Sequence, residues 1–241
     1  ELKKSKWICY DKQEMQKKGV ETLIQQVQTT AANPVESEQI DLPEVVLQPL
    51  PMNAKVAEQH HFAHGLLEEM LFKRGIFKPY FMGEGKHGKP FLLEHPQIQF
   101  NISHCKNAVL CGIGSKPLGV DVETIRPMRE RVLRRVLTAS EQQEILQSES
   151  PELCFLRFWT LKESFVKALG VGISYPMQTL AFSLREPLAT EGMQCHVRQG
   201  SGEILVPMQE YAAAGAGAGY RFFQGIWEQK QVFSVCIPKA E

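Results

Sequence analysis

The segment from Ser150 to Gly170 constrains the fold most, because it predicts a single long helix. Ser150 is a favoured N-cap, Pro151 is favoured in the first turn, and Gly170 is a favoured C-terminal cap. The apolar side chains that sustain the helix between these ends are Leu153, Phe155, Leu156, Trp159, Phe165, Val166 and Leu169. A helix with this many large apolar side chains needs a core, so we expect a globular chain.

Shorter segments place this helix in an α+β arrangement. A second helix is predicted from Val56 to a stop at Gly75. Strands are predicted at residues 98–102, 109–113, 118–122, 180–184, 195–198, 220–227 and 231–237. Each half of the chain therefore combines a long helix with an antiparallel meander, which predicts the α+β fold class.

Several other segments carry local predictions. Thr138 followed by Glu141 predicts the capping box of a helix. The remaining predictions are a strand at 6–10, a helix at 15–28, an extended proline-containing connection at 33–51, a turn at 103–107, a helix at 129–137 and a flexible loop at 212–219.

Composition narrows the class of protein. The 241 residues carry 27 Lys plus Arg and 27 Asp plus Glu, whereas nucleic-acid binding usually needs an excess of positive charge. No apolar run approaches the roughly 18 residues of a spanning helix, and no basic-then-apolar N-terminus indicates secretion. The six scattered cysteines lack a Cys-x-x-Cys pair, which is typical of small core residues in a reducing compartment. We expect a cytoplasmic protein that binds neither nucleic acid nor membrane.

The sequence GVDVE at residues 119–123 is the strongest chemical signal. In a strand, Asp121 and Glu123 project from one face while Val120 and Val122 point into the core. Two neighbouring carboxylates repel each other unless a cation lies between them, and such oxygen ligands suit Mg²⁺. Taken alone, the same pattern also fits an edge strand with ordinary surface acids.

The long helix carries a second signal. Trp159, Glu163 and Lys167 stand four residues apart and share one face. An exposed Glu–Lys pair at this spacing is common and stabilises by only about 0.3–0.5 kcal/mol. If the face is partly buried, the carboxylate could bind metal and take a proton while the ammonium neutralises charge on a phosphate.

A third signal lies before these two. Ser103 and His104 follow a predicted strand, and Lys89 lies in the glycine-rich segment upstream. Hydroxyl, imidazole and ammonium groups are good phosphate donors. Each of the three residues, taken singly, is equally compatible with a hairpin turn or a solvated loop.

Together the segments resemble the Sfp-type 4′-phosphopantetheinyl transferases. The motifs of that family run G-K-P, F-N-x-S-H, G-[VI]-D-[VI]-E and W-x-x-K-E-[SA]-x-x-K, and the matching segments here are 88–90, 100–104, 119–123 and 159–167. The resemblance extends from about Phe62 to Pro238, and the combination is far more specific than any single motif.

The resemblance implies a fold and an activity. The fold would be two similar α+β halves, residues 1–116 and 117–241, related by a pseudo-twofold axis with coenzyme A (CoA) in the cleft between them. The activity would transfer the phosphopantetheine arm of CoA to a serine of an acyl or peptidyl carrier protein, releasing adenosine 3′,5′-bisphosphate. The family expectation for the oligomeric state is a monomer.

The resemblance also implies roles for the acidic residues. Asp121, Glu123 and Glu163 would be the Mg²⁺ ligands. Glu163 would in addition act as the general base for the carrier serine, since a serine hydroxyl is a weak nucleophile. Trp159 would be a packing residue that orients the helix.

Basic and polar residues would contact CoA. Lys167 and Lys162 would neutralise phosphate charge, with Lys167 the better candidate to assist the leaving group. Lys89, Ser103 and His104 would contact the CoA phosphates.

One segment departs from the family. The helix near residue 61 has no arginine where one is often found, so His64 is a candidate substitute as a phosphate contact. His60 and His64 stand one helical turn apart, but no nearby side chain clearly completes a zinc site.

Two alternative functions remain open from the residues. A Mg²⁺-dependent phosphodiesterase or nuclease could use the same acidic cluster with water as nucleophile, although the neutral charge disfavours a nuclease. A non-catalytic relative could bind CoA or carrier proteins without turnover. Such a relative would have no need to keep three acids and Lys167 together.

Overall fold

The computed structural model describes residues 42–51, 54–127, 130–172, 174–189 and 192–240. Its α-helices are α1 (Val56–Phe72), α2 (Glu130–Val136), α3 (Ala139–Leu146) and α4 (Pro151–Leu169). Its first seven strands are β1 (Glu44–Pro49), β2 (Met82–Glu84), β3 (Pro90–Leu92), β4 (Gln99–Cys105), β5 (Ala108–Gly114), β6 (Gly119–Thr124) and β7 (Leu180–Phe182). The others are β8 (Gln194–Gln199), β9 (Gly202–Pro207), β10 (Gln209–Tyr211), β11 (Ala213–Gly215), β12 (Tyr220–Trp227) and β13 (Gln231–Pro238).

These strands build two main sheets. One has five strands in the order β4-β5-β1-β8-β9, and the other has four in the order β10-β12-β13-β6. The mixed α+β class is therefore confirmed, while the pseudo-twofold relation between halves stays a prediction. The five-stranded sheet takes β8 and β9 from beyond residue 117, so the predicted division at 116/117 does not separate the two sheets.

The two sheets pack face to face, and one long helix covers the outer face of each. Val45 and Leu110 meet Val120 and Phe233 in the core between the sheets. On the outer face of the five-stranded sheet, α1 packs its buried leucines against β1 and β5. On the outer face of the four-stranded sheet, α4 packs its phenylalanines against β12 and β13. The order of layers is thus helix, sheet, sheet, helix.

Helix α4 forms where its apolar spacing and its end residues predict it, although the side chain of its N-cap, Ser150, makes no capping hydrogen bond. It begins at Pro151, and Gly170 is its C-cap in the left-handed conformation. The capping box before α3 is also confirmed, because the Thr138 hydroxyl accepts from the Glu141 amide and the Glu141 carboxylate accepts from the Thr138 amide. These local signals are reliable since they satisfy backbone groups that a helix end leaves unpaired.

The connection predicted at residues 33–51 is partly wrong. Glu44–Pro49 is β1, which lies inside the five-stranded sheet between β5 and β8. Val45, Val46 and Leu47 are buried there. Prolines at the ends of a strand are compatible with pairing. The proline content of this segment therefore did not exclude a core strand, although it predicted a connection.

The turn predicted at residues 103–107 is also wrong in its extent. β4 continues to Cys105, and Ser103 pairs with Leu110 in the antiparallel register with β5. Ser103 and His104 are therefore strand residues with fixed directions. They do not belong to a solvated turn.

The loop predicted at residues 212–219 is ordered by packing. Ala213–Gly215 pairs antiparallel with β7. Gly215 has a φ of +72°, and a Cβ atom there would lie 2.2 Å from the Thr179 carbonyl oxygen, so the position favours glycine. Small residues are needed because this turn lies close against its neighbours. The strand and helix predicted at 6–10 and 15–28 lie outside the described residues.

None of the helices in the described ranges has both the length and the apolar character that crossing a bilayer requires. The five cysteines of the described part are unpaired, and four of them are buried.

Candidate active site

Strand β6 directs two carboxylates away from the core between the sheets. Val120 and Val122 are buried in that core. Asp121 and Glu123 point to the opposite face, where α4 packs, and Asp121 pairs with Ser234 in the register with β13. The alternation of a strand thus presents both acids to the helix.

Helix α4 places Trp159, Glu163 and Lys167 beside these acids. Lys167 Nζ lies 2.6 Å from Asp121 Oδ1. Trp159 hydrogen-bonds to the Glu123 carboxylate, so its side chain has a polar role as well as the predicted packing role. Glu163 lies between them on the helix, where the charges of Asp121 and Glu123 both act on it. The predicted acidic residues and Lys167 are therefore brought together.

A glycine permits the close approach of β6 to α4. A Cβ atom at Gly119 would lie 2.0 Å from the Ser164 carbonyl oxygen of the helix. The glycine of the GVDVE motif is thus needed for packing. The sequence analysis assigns it no role, and its place two residues before Asp121 was the available signal.

Burial changes the protonation of the acids. The pKa of Glu163 is raised to about 7, first by desolvation, then by the negative charge of Asp121, against the opposing effect of Lys167. The pKa of Glu123 is also raised, by burial and by Asp121, although Arg126 and Lys167 oppose this. A carboxyl group with a pKa near neutrality is suited to take a proton.

Two carboxylate oxygens of the cluster lack hydrogen-bond partners in the described part of the chain. They are Asp121 Oδ2 and Glu163 Oε1, and both are buried. Buried polar atoms are normally paired, because leaving one unpaired costs about 1–3 kcal/mol. Unpaired oxygens beside mutually repelling carboxylates fit a hard divalent cation such as Mg²⁺. Among the described residues, however, no group of three His, Cys, Asp or Glu side chains is arranged as a ready-made metal site.

A cavity of about 290 Å³ adjoins the cluster. Its lining includes Lys89, Asn101, Glu163, Lys167 and Gly170. Lys89 Nζ donates to the Leu118 carbonyl at 2.8 Å and to the Ala168 carbonyl at 3.1 Å. Burial lowers the pKa of Lys89 to about 8. Since an ammonium has three protons, one remains for a ligand in the cavity.

His104 lies beside helix α1. Its Nδ1 is 3.0 Å from Gln59 Oε1, and its ring centroid is 4.7 Å from that of His60. The pKa of His104 is lowered by burial and by the positive charges of His60 and Lys167. Burial likewise lowers the pKa of His64. These imidazoles are therefore mainly neutral at neutral pH, which weakens them as phosphate ligands in the free protein.

Lys162 is not brought to the cluster. Its side chain has no exposed surface, and Nζ lies 2.6 Å from Glu141 Oε2. The same ammonium donates to the carbonyl oxygens of Val136, Met177 and Leu180. With four acceptors around three protons, Lys162 has no capacity for a ligand phosphate.

Comparisons with known proteins point to one family. Residues 117–214 match the family described as the 4′-phosphopantetheinyl transferase superfamily. A 4′-phosphopantetheinyl transferase of Bacillus subtilis is 30% identical over 131 residues, which are 50% of this chain and 58% of the relative. The transferase psf-1 of Bacillus pumilus is 34% identical over 131 residues, 50% of this chain and 56% of the relative.

The chain therefore spans less than two thirds of the length of these relatives. The crystal structure of Thermotoga maritima holo-[acyl-carrier-protein] synthase is 19% identical, covers 52% of this chain and 64% of that one, and gives a TM-score of only 0.33. The sequence matches, together with the four motifs, show that this chain is similar to the 4′-phosphopantetheinyl transferase superfamily, most clearly over residues 117–214.

Proposed function

We propose that this protein transfers the 4′-phosphopantetheine arm of CoA to a serine hydroxyl of an apo carrier protein. The observation that carries the proposal is the buried cluster of Asp121, Glu123, Glu163 and Lys167 beside a cavity. The serine oxygen forms a bond to the phosphorus that bears pantetheine. The phosphoanhydride bond breaks, and adenosine 3′,5′-bisphosphate departs with the bridging oxygen.

Glu163 is the proposed general base. In the metal-free protein its pKa is raised to about 7, so the carboxyl group can exchange a proton near physiological pH. A bound Mg²⁺ would favour the ionised form, which is the form that accepts the serine proton. Its position in the cavity wall makes it accessible to a substrate hydroxyl.

Lys167 and Lys89 are the proposed phosphate ligands. Lys167 uses two protons, one on Ser103 Oγ at 2.8 Å and one on Asp121 Oδ1, which leaves the third for an anion. Lys89 lines the same cavity and also donates two hydrogen bonds within the protein, so its third ammonium proton is available to an anion. Positive charge held in a partly buried site stabilises the charge that develops on the leaving phosphate.

Asp121, Glu123 and Glu163 are the proposed ligands of Mg²⁺. The unpartnered Asp121 Oδ2 and Glu163 Oε1 support this assignment. A bound Mg²⁺ supplies neutralisation of negative charge on the CoA pyrophosphate. We also propose that the protein acts as a monomer and that it acts in the cytoplasm; the five cysteines of the described residues are unpaired, which is typical of a reducing compartment.

The test incubates the full chain with CoA, Mg²⁺ and a purified apo acyl carrier protein, then follows the carrier mass and the CoA concentration together. The proposal expects the carrier to gain one phosphopantetheine for each CoA consumed. CoA hydrolysis with an unmodified carrier would indicate the phosphodiesterase. No change in either would indicate a non-catalytic binding protein.

A further inference from the structure

The short hairpin of β2 and β3 has one apolar face in the core and another toward solvent. Leu92 is buried in the cluster beneath α1, and Met82, which is opposite Leu92 in the register, packs against the same cluster. Side chains alternate along a strand, so Phe81, Phe91 and Leu93 point the other way. Their exposed fractions are 59%, 37% and 46%. We call these three side chains the outer hairpin face.

The outer hairpin face is one continuous surface. Leu93 N–H donates to the Phe81 carbonyl at 3.0 Å, so the pairing extends beyond the ends of both strands. The Phe91 ring fills the place of a side chain at Gly83, where a Cβ atom would lie 2.6 Å from Phe91 Cζ. No other pair of adjacent strands in the described ranges exposes as many large apolar side chains. Such a surface is typical of an interaction site.

The described chain starts beside this hairpin. Strand β1 begins at Glu44, whose carboxylate lies 2.7 Å from Nη1 of Arg74 in the turn after α1. Phe72, the last residue of α1, packs edge-on against Phe77 with a centroid distance of 5.1 Å, four residues before Phe81. The segment that precedes residue 42 therefore joins the described residues on the side where the chain enters the hairpin.

Residues 1–41 lie outside the described part of the chain, but their sequence contains a matching surface. The helix predicted at 15–28 would place Val20, Leu23, Ile24 and Val27 at positions i, i+3, i+4 and i+7, on one face. A predicted helix of this length is marginal in water unless that face is buried against a partner. Residues 29–41 can span up to about 40 Å when extended, so the outer hairpin face is within reach.

We propose that the segment 15–28 docks its apolar stripe on the outer hairpin face of the same chain. Recognition of a helix by an apolar surface uses anchors at this spacing. The connecting residues favour this occupant over a second copy, because such a tether gives an effective concentration on the order of millimolar.

Docking would give the hairpin a second packed side. Two strands of three residues each are marginally stable on their own, so a cover on the outer face should stabilise their pairing. His87 and Gly88, in the turn of this hairpin, line the cavity of the candidate active site. The docked segment would therefore also hold one wall of that cavity.

Hydrogen exchange with mass spectrometry tests the docking on the full chain, without CoA or a carrier protein. In the wild type we expect protected amides both in residues 15–28 and in residues 81–93. Leu23→Asp places a charge in the apolar stripe, so both segments should exchange about 10-fold faster. Gln25→Asp, on the opposite side of the predicted helix, is the matched control and should change neither rate by more than about 2-fold.

The hairpin side gives the reciprocal test. Phe81→Ser should accelerate exchange in residues 15–28 as much as Leu23→Asp does, whereas Leu205→Ser, at a similarly exposed apolar position on β9, should not. Thermal unfolding checks that each variant is folded, and Phe91→Ser replaces Phe81→Ser if that variant is not. Unchanged exchange in residues 15–28 of the folded hairpin variant would overturn the inference.

Dilution separates this occupant from others. Protection that stays constant over about 100-fold dilution, in protein that sediments as a monomer, supports docking within one chain. Protection of residues 81–93 that is lost on dilution would assign the outer hairpin face to a second copy, and fast exchange of both segments at every concentration would leave the face uncovered. Either result overturns the inference. These measurements do not depend on transfer, so they stand or fall separately from the proposed function.

Discussion

At the scale of single residues, burial strengthens the repulsion between the carboxylates of Asp121, Glu123 and Glu163, and Lys167 offsets only part of it. Lys167 neutralises one oxygen of Asp121, while the second oxygen and one oxygen of Glu163 stay unpartnered among the described residues. Binding of a cation or a proton lowers the free energy of the cluster, because it reduces the repulsion between the buried carboxylates. We therefore expect a bound Mg²⁺ or a proton to stabilise the cluster.

Replacing the proposed base should remove transfer. Glu163→Gln keeps the size of the side chain and removes the group that accepts the serine proton, so we expect kcat to fall at least about 100-fold. Circular dichroism should show an unchanged fold. Activity equal to wild type in a folded Glu163→Gln protein would remove Glu163 from the mechanism.

The raised pKa of Glu163 also predicts a pH-dependent stability in EDTA. Its pKa is about 7 in the folded chain and 4.5 as an unperturbed group, so folding favours the protonated form. Its stabilising contribution is complete below about pH 4.5 and is lost as the pH rises through 7. The difference between the two pKa values of Glu163 corresponds to about 3 kcal/mol of unfolding free energy.

Urea denaturation of Glu163→Gln and wild type checks this sign. We expect the variant to gain stability relative to wild type between pH 5 and 8 and to show no such gain near pH 4. Glu149→Gln, at an exposed position, is the control and should follow wild type throughout. A gain for Glu163→Gln that is the same at every pH would show that ionisation of Glu163 is not its cause.

The proposed metal ligand on β6, Asp121, gives a separate prediction. Asp121→Ala should abolish the increase in CoA affinity that Mg²⁺ produces, because it removes a proposed ligand oxygen and the partner of Lys167. Calorimetry with Mg²⁺ and with EDTA measures this increase. If Asp121→Ala binds CoA with the full Mg²⁺ increment, the ion is held elsewhere.

At the scale of elements, Lys162 connects α4 to the segments around it. Its buried ammonium donates to the end of α2, to Glu141 in the first turn of α3, to the chain before β7 and to the first residue of β7. Lys162→Met would leave the Glu141 carboxylate buried without its cation, so we expect a loss of about 3–5 kcal/mol of unfolding free energy. Lys73→Met removes an exposed ion pair with Glu69 and should cost less than about 1 kcal/mol.

Urea denaturation of the two variants measures the contrast. A similar small loss for both would show that Lys162 is not an internal ion-pair partner, and would reopen the predicted phosphate contact. The motif alone could not separate these roles, because a lysine beside a glutamate on a helix can face either the cavity or the core.

The sequence predicted the elements whose signals are local. The glycine C-cap of α4, the capping box before α3 and the alternation in β6 each satisfy nearby backbone or core groups, so the structure follows them. The sequence did not predict β1 or the packed conformation of the turn at 212–219, because both depend on contacts with residues far along the chain. Asn101 was visible in a motif, but its contact with the Val120 amide exists only once two sheets meet.

At the scale of the whole molecule, the site is assembled by the meeting of two sheets and one helix. β4 supplies Ser103, β6 supplies Asp121 and α4 supplies Lys167, and these three side chains form one hydrogen-bonded group. The acids therefore depend on long-range packing for their arrangement. Activity should be lost with the tertiary structure even where α4 remains helical.

The mass of an apo acyl carrier protein after incubation with CoA and Mg²⁺ is the most direct test of phosphopantetheinyl transfer. The account predicts a gain of one phosphopantetheine on a single serine with wild-type protein, and no gain with Glu163→Gln or in EDTA. A carrier whose mass stays unchanged with folded wild-type protein, or one that Glu163→Gln modifies at the wild-type rate, would contradict it.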